Sequence, residues 1–92
     1  MIECKQTAKA ALRRGEGSFV MALCQALAHL CQAYAHADAS NLPAVCMAAR
    51  YTFAALKDMN RKNVAIDLVL LELGSREHCG RGTEMLEMIG AL

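Results

Sequence analysis

Five cysteines and three histidines are the residues of this 92-residue chain that could bind a metal ion or act as nucleophile and base. Zinc sites take their ligands from closely spaced pairs, such as two cysteines separated by two residues. Cys24 and Cys31 are instead seven residues apart, which is about 10 Å along a helix. His29 and His36 have the same wide spacing on another helix edge. These spacings predict no metal site and no cofactor.

Cys79 is the cysteine with the most suggestive neighbours, because His78 precedes it and Gly80 follows it. A catalytic thiol needs a general base within reach and donors that stabilise an oxyanion. Adjacent side chains rarely face each other, so the base would have to be His29 or His36 from across the fold. We expect a protein without enzymatic activity, and a thiol-dependent enzyme at Cys79 is the third hypothesis.

The odd number of cysteines excludes complete internal pairing. Cys24, Cys31 and Cys46 fall within apolar helical patterns, where a free thiol behaves as a small hydrophobic side chain. The first residues, MIECKQTAKAALRRG, carry too many charges for a secretory signal. We therefore expect reduced thiols and a cytoplasmic location.

Residues Ser18–Ala37 contain no Asp, Glu, Lys or Arg, which predicts a central helix with protein on several sides. The stretch is long enough to cross a membrane, but polar amides and imidazoles within it favour a soluble helix. On a helix those polar side chains form one narrow stripe, which either faces water or is covered by a partner protein. The stripe consists of Gln25, His29, Gln32 and His36.

Composition favours association with a second chain. Hydrophobic residues make up 55% of the sequence, but aromatic residues make up only 4% and tryptophan is absent. A core of small side chains in so short a chain leaves apolar surface for a partner to cover. We expect a homodimer or a complex, with the apolar C-terminal residues Met85, Met88 and Ile89 as further partner-binding residues.

Hydrophobic periodicity predicts an all-α fold, a small bundle of four main helices and a short C-terminal helix in a single domain over residues 1–92. Within Val64–Leu73 the apolar run also fits a buried strand, but no second strand-like run exists to pair with it, so helix is preferred. The predicted helices span residues 2–14, Ser18–Ala37, Pro43–Asn60, Val64–Leu73 and Glu84–Ala91.

Local signals predict where these helices begin. A residue with a short polar side chain in front of an apolar run is typical of a helix N-cap. The glycine-rich segment 74–82, which includes the Ser75–Gly82 stretch, is predicted to be a mobile loop. The predicted caps are Ser18, Ser40 or Asn41 ahead of Pro43, Asn63, and Thr83.

Nucleic-acid binding is the second hypothesis, although the formal net charge is only +1. Residues 6–19 have the spacing of a helix-turn-helix, but the helix in the recognition position, Ser18–His36, has no positive charge with which to hold phosphates. A DNA-binding regulator would have to use two basic helix faces. Their residues are Lys5, Lys9 and Arg13 in the first helix, and Arg50, Lys57 and Arg61 in the third.

The function that fits these patterns best is that of a small protein–protein interaction module, such as an adaptor, a chaperone-like protein or an inhibitor of a larger protein. We expect it to self-associate. Sequence alone does not identify the partner.

Overall fold

The computed structural model describes residues 17–90, and its regular structure there is entirely helical. The predicted all-α bundle is therefore confirmed. The helix predicted over residues 2–14 lies outside the described residues. In chain order the described helices are α1 (Gly17–Ala35), α2 (Leu42–Asp58), α3 (Lys62–Leu73) and α4 (Cys79–Met88).

Helix α1 is central, because its contacts with α2 and with α3 are the most extensive between any two of the described helices. Its buried side recurs at helical spacing through Val20, Leu27, Cys31 and Tyr34. By length and composition alone α1 could also cross a membrane, a test that core helices of soluble proteins and signal sequences pass as well. The buried side of α1 packs against the other helices.

The core is built mainly from aliphatic and sulfur-containing side chains, with Tyr34 and Phe53 as its aromatic members. Three leucines have no exposed surface at all: Leu27, Leu56 and Leu73 come from α1, α2 and α3, one from each helix. Burial of each such side chain contributes about 1.5–3 kcal/mol to folding. The full core cluster consists of Leu27, Cys31, Tyr34, Ala49, Phe53, Leu56, Ala65, Val69, Leu73, Met85 and Leu86.

The connection from α1 to α2 is organised by Asp38. Its carboxylate accepts hydrogen bonds from the Ser40 hydroxyl, the Ser40 N–H and the Asn41 N–H, and these bonds hold the pKa of Asp38 below its usual value. Asn41 occupies the N-cap position of α2, but its side chain accepts from the Asp38 N–H and makes no cap bond to the helix. The predicted start near Pro43 is confirmed, and the predicted mode of capping is wrong.

Helix α3 settles the choice between helix and strand over residues 64–73 in favour of helix. It begins at Lys62 with Arg61 in the N-cap position, so Asn63 lies inside the helix and does not cap it. The helix has apolar side chains on all sides. In soluble proteins such a helix is normally covered all round.

Helix α4 begins earlier than the sequence predicted. The polar turn ends at His78, and residues Cys79–Gly82 are already helical. Thr83 is therefore inside the helix, where its hydroxyl donates to the Cys79 carbonyl at 3.1 Å. The predicted caps at Thr83 and at Ser18, which lies within α1, are both corrected.

Gly82 explains why a glycine-rich segment can be helical here. It is buried where α4 crosses the C-terminal end of α3. A Cβ atom at this position would lie 2.7 Å from the Leu73 carbonyl oxygen, closer than real Cβ atoms come. The glycine permits the two helix backbones to approach each other, and it does not mark a loop.

Candidate interaction surface

The C-terminal end of α1 is joined to α4 by a compact polar cluster around Tyr34. The Tyr34 hydroxyl donates to the Glu84 carboxylate at 3.1 Å, and the Arg81 guanidinium lies 5.2 Å from the centre of the Tyr34 ring. Arg81 also donates to the Ala37 carbonyl at 3.3 Å and lies 3.5 Å from Glu84. Burial and the bond to Glu84 raise the pKa of Tyr34. This cluster fixes α4 against α1.

A buried sulfur pair lies below that cluster. The Cys31 thiol is 3.7 Å from the Met85 thioether, and neither residue has exposed surface. Burial, and to a lesser extent the charge of Glu72, raise the pKa of Cys31 to about 12. The thiol is therefore protonated and unreactive at neutral pH. Met85 belongs to the core, which corrects its assignment to a partner-binding surface.

The polar stripe of α1 faces outward. Gln25, His29 and Gln32 on α1 are exposed, and so is His36, which lies just after the end of α1 and not within it as predicted. A solvent edge or a partner-binding edge requires such exposure. The Gln32 amide donates to the Glu72 carboxylate at 2.7 Å, so this edge is tied to the last turn of α3.

His36 lies against His78, with the ring centres 5.7 Å apart in an edge-to-face arrangement. The next residue, Cys79, is exposed, and its thiol lies 3.6 Å from the Arg76 carbonyl. The thiol is the donor in that contact. Within residues 17–90 no group of three or more His, Cys, Asp or Glu side chains could hold a metal ion.

The outer face of α2 is a basic and apolar surface. Its members are two basic residues, one acidic residue and three others, namely Met47, Arg50, Tyr51, Ala54, Lys57 and Asp58. The first four follow the i, i+3, i+4, i+7 spacing of one helix side. Met47 is 61% exposed and Tyr51 is 73% exposed. The first four residues line an open cavity of about 340 Å³. The cavity is large enough to accept side chains of another molecule.

The outer face of α3 is an acidic and apolar surface. It is formed by Asp67, Leu70 and Leu71, which lie at i, i+3 and i+4 and therefore adjoin one another. Leu70 is 52% exposed and Leu71 is 70% exposed, whereas Val69 and Leu73 on the opposite side are fully buried. The helix thus packs on one side and leaves its other apolar side open.

The sequence patterns do not assign Tyr51, Leu70 or Leu71 to a binding surface. The usable signal was the lack of a polar side in Val64–Leu73, since a helix of this kind inside a small bundle needs cover on its outer side. Of the predicted C-terminal partner residues, Met88 and Ile89 are half-buried beside the core and retain some accessible surface.

The basic residues named for nucleic-acid binding differ in their exposure to solvent. Arg50 and Lys57 are exposed on α2, whereas Arg61 is half-buried and its Nε has no hydrogen-bond partner. The residues of the first basic face, Lys5, Lys9 and Arg13, lie outside the described part of the chain.

No protein-family model, characterised protein or solved structure matches this chain. A functional assignment therefore rests on the chemistry of the surfaces described above. The outer faces of α2 and α3 combine exposed apolar side chains with charge, and they form the candidate interaction surface.

Proposed function

We propose that this chain is a small protein–protein interaction module of the adaptor, chaperone-like or inhibitor kind, and that it self-associates. The observation that carries the proposal is the exposure of Leu70 and Leu71 on a helix whose opposite side forms the core. Covering a large aliphatic side chain contributes about 1.5–3 kcal/mol. Covering both Leu70 and Leu71 in an interface would therefore stabilise a complex.

The residue types of the α2 outer face also support the proposal. Tyrosine, methionine and arginine are enriched in the buried centres of protein interfaces. Met47, Arg50 and Tyr51 bring one of each to adjoining positions on the same helix side. The proposed module acts without catalysis and in the cytoplasm, in keeping with free thiols at Cys31, Cys46 and Cys79.

The test is the mass of the protein in solution, measured by light scattering and sedimentation over a wide concentration range. We expect a concentration-dependent dimer for the unaltered chain. The double variant Leu70→Gln with Leu71→Gln should be monomeric, and its helical circular dichroism should be unchanged because both side chains are exposed.

A matched control is the double variant Phe19→Gln with Met21→Gln, which removes two other exposed apolar side chains from α1. It should retain the dimer. Equal loss of association in both double variants would indicate nonspecific hydrophobic contact. A strictly monomeric unaltered chain at high micromolar concentration would contradict the proposed self-association.

A DNA-binding regulator is the second candidate, because Arg50 and Lys57 are exposed two turns apart, about 10 Å, on one side of α2. Phosphate binding of this kind weakens steeply with salt. The test is salt-dependent retention on duplex DNA, with Lys57→Glu and Arg61→Glu as the disrupting substitutions. Retention that salt and these substitutions leave unchanged would contradict a role for this face in DNA binding.

A further inference from the structure

We infer that the occupant of the α2 outer face is the α3 outer face of a second copy of this chain, in a two-fold symmetric dimer. The inference rests on the proposed self-association and specifies which surfaces meet. It follows from the charge, the apolar content and the connectivity of the two faces.

The two faces are complementary in charge. Arg50 lies at the centre of the α2 outer face, and Asp67 lies one turn ahead of the exposed leucine pair on α3. Within residues 17–90 neither Arg50 nor Asp67 has an ion-pair partner. A second copy would supply each with an opposite charge, and opposite charges across an interface set its orientation and its specificity.

The two faces also have complementary apolar features. The open cavity of the α2 outer face is lined by Met47, Arg50, Tyr51 and Ala54. Leu70 and Leu71 project from α3 at neighbouring positions, as side chains that could fill such a cavity. Aliphatic side chains seated between methionine and tyrosine would form the water-excluded centre that stable interfaces have.

Connectivity allows both contacts to form at once. Helices α2 and α3 are consecutive, are joined by residues 59–61, and contact each other. In a two-fold dimer, the α2 of each copy then meets the α3 of the other. Each Arg50 would pair with an Asp67, both leucine pairs would be covered, and the assembly would close at two copies.

The test is a charge-reversal cycle followed by sedimentation. Arg50→Glu alone places two acidic groups opposite each other in the dimer, and Asp67→Arg alone places two basic groups there. Each single variant should have a dissociation constant at least tenfold higher than that of the unaltered chain, since like charges meeting in an interface are strongly unfavourable.

Recovery of dimerisation when opposite charges are restored is the decisive result. The double variant Arg50→Glu with Asp67→Arg restores opposite charges at both contacts, and so does an equimolar mixture of the two single variants. Both samples should dimerise within about threefold of the unaltered chain, whereas Lys62→Glu, an exposed reversal outside these faces, should leave the dimer intact. Helical circular dichroism should be the same for every variant.

The outcomes separate this inference from the proposed function. If neither single charge reversal changes the dissociation constant, or if the double variant fails to restore it, the α2–α3 contact is wrong while self-association stands. Assemblies that keep growing beyond two copies would overturn the two-fold arrangement. A monomeric unaltered chain would overturn self-association itself, and the inference with it.

Discussion

Two regions of the molecule differ in how their surface groups are satisfied. Where α1 meets α4, the polar groups have partners within the chain: Tyr34 bonds to Glu84, and Arg81 caps the Ala37 carbonyl. On the outer faces of α2 and α3, large apolar side chains are exposed beside Arg50 and Asp67. The first region is completed by folding, and the second is one that another molecule would complete.

The largest effect is expected from shortening two leucines of α3, one buried and one exposed. Leu73→Ala empties a fully buried site, and we expect it to lower the free energy of unfolding by about 2–5 kcal/mol. Leu71→Ala removes a largely exposed side chain and should change the stability of the monomer by less than about 0.5 kcal/mol. Urea denaturation at a dilution that keeps the chain monomeric measures both.

Equal costs for the two substitutions would show that Leu71 is covered within the chain. That result would remove the main support for an outer face on α3.

Two glycines of α4 test how closely this helix packs against α3. Gly82→Ala forces a Cβ against the Leu73 carbonyl, and we expect a loss of about 1–3 kcal/mol from overpacking. Gly80→Ala is the matched control, because a Cβ there meets no atom within 4 Å and should leave stability unchanged or slightly higher. Thermal unfolding followed by circular dichroism measures both. A stable Gly82→Ala variant would mean that α3 and α4 are less closely packed than described.

Arg81 tests the polar cluster with a smaller effect. Arg81→Met keeps a flexible, unbranched side chain but removes the guanidinium, and with it the contact over the Tyr34 ring and the bond to the Ala37 carbonyl. We expect a loss of about 1–2 kcal/mol from these two interactions together. The exposed Arg76→Met should cost less than about 0.5 kcal/mol, and the proposed dimer should survive both substitutions. A dimer that dissociates on Arg81→Met would place the interface at α4 instead.

Cys31 gives a pH dependence with a defined sign. Its pKa is raised from 9.0 to about 12, so the protonated thiol stabilises the fold. That contribution is fully present below pH 9 and is lost as the pH rises towards 12, on the order of 1 kcal/mol between pH 9 and 10. The difference in unfolding free energy between the unaltered chain and Cys31→Ala should shrink over this range. A difference that stays constant with pH would mean that folding does not raise the pKa of Cys31.

Periodicity predicts α1 and α2 because each has a regular apolar side, and it places the predicted Ser18–Ala37 helix, observed as Gly17–Ala35, at the centre. Helix α3 has no such side, and its prediction as a helix depends on the lack of a second strand-like run. The sequence pattern misplaced the start of α4 because the glycines of 80–82 look like a loop in sequence, whereas Gly82 serves a close approach to Leu73 that depends on the tertiary fold. The exposed stripe through His29 followed from helical geometry. The burial of Met85 did not, since the partner of its sulfur, Cys31, is 54 residues away.

The absence of tryptophan has an experimental consequence. The chain has two tyrosines: Tyr34, which is buried under Arg81, and Tyr51, which projects from α2. Their ultraviolet absorption and fluorescence are not masked by an indole, so each compared region carries its own optical reporter. Tyr51→Phe leaves a chain whose tyrosine signal reports on folding, and Tyr34→Phe leaves one whose signal reports on what approaches α2. The protein can thus be followed without an added dye.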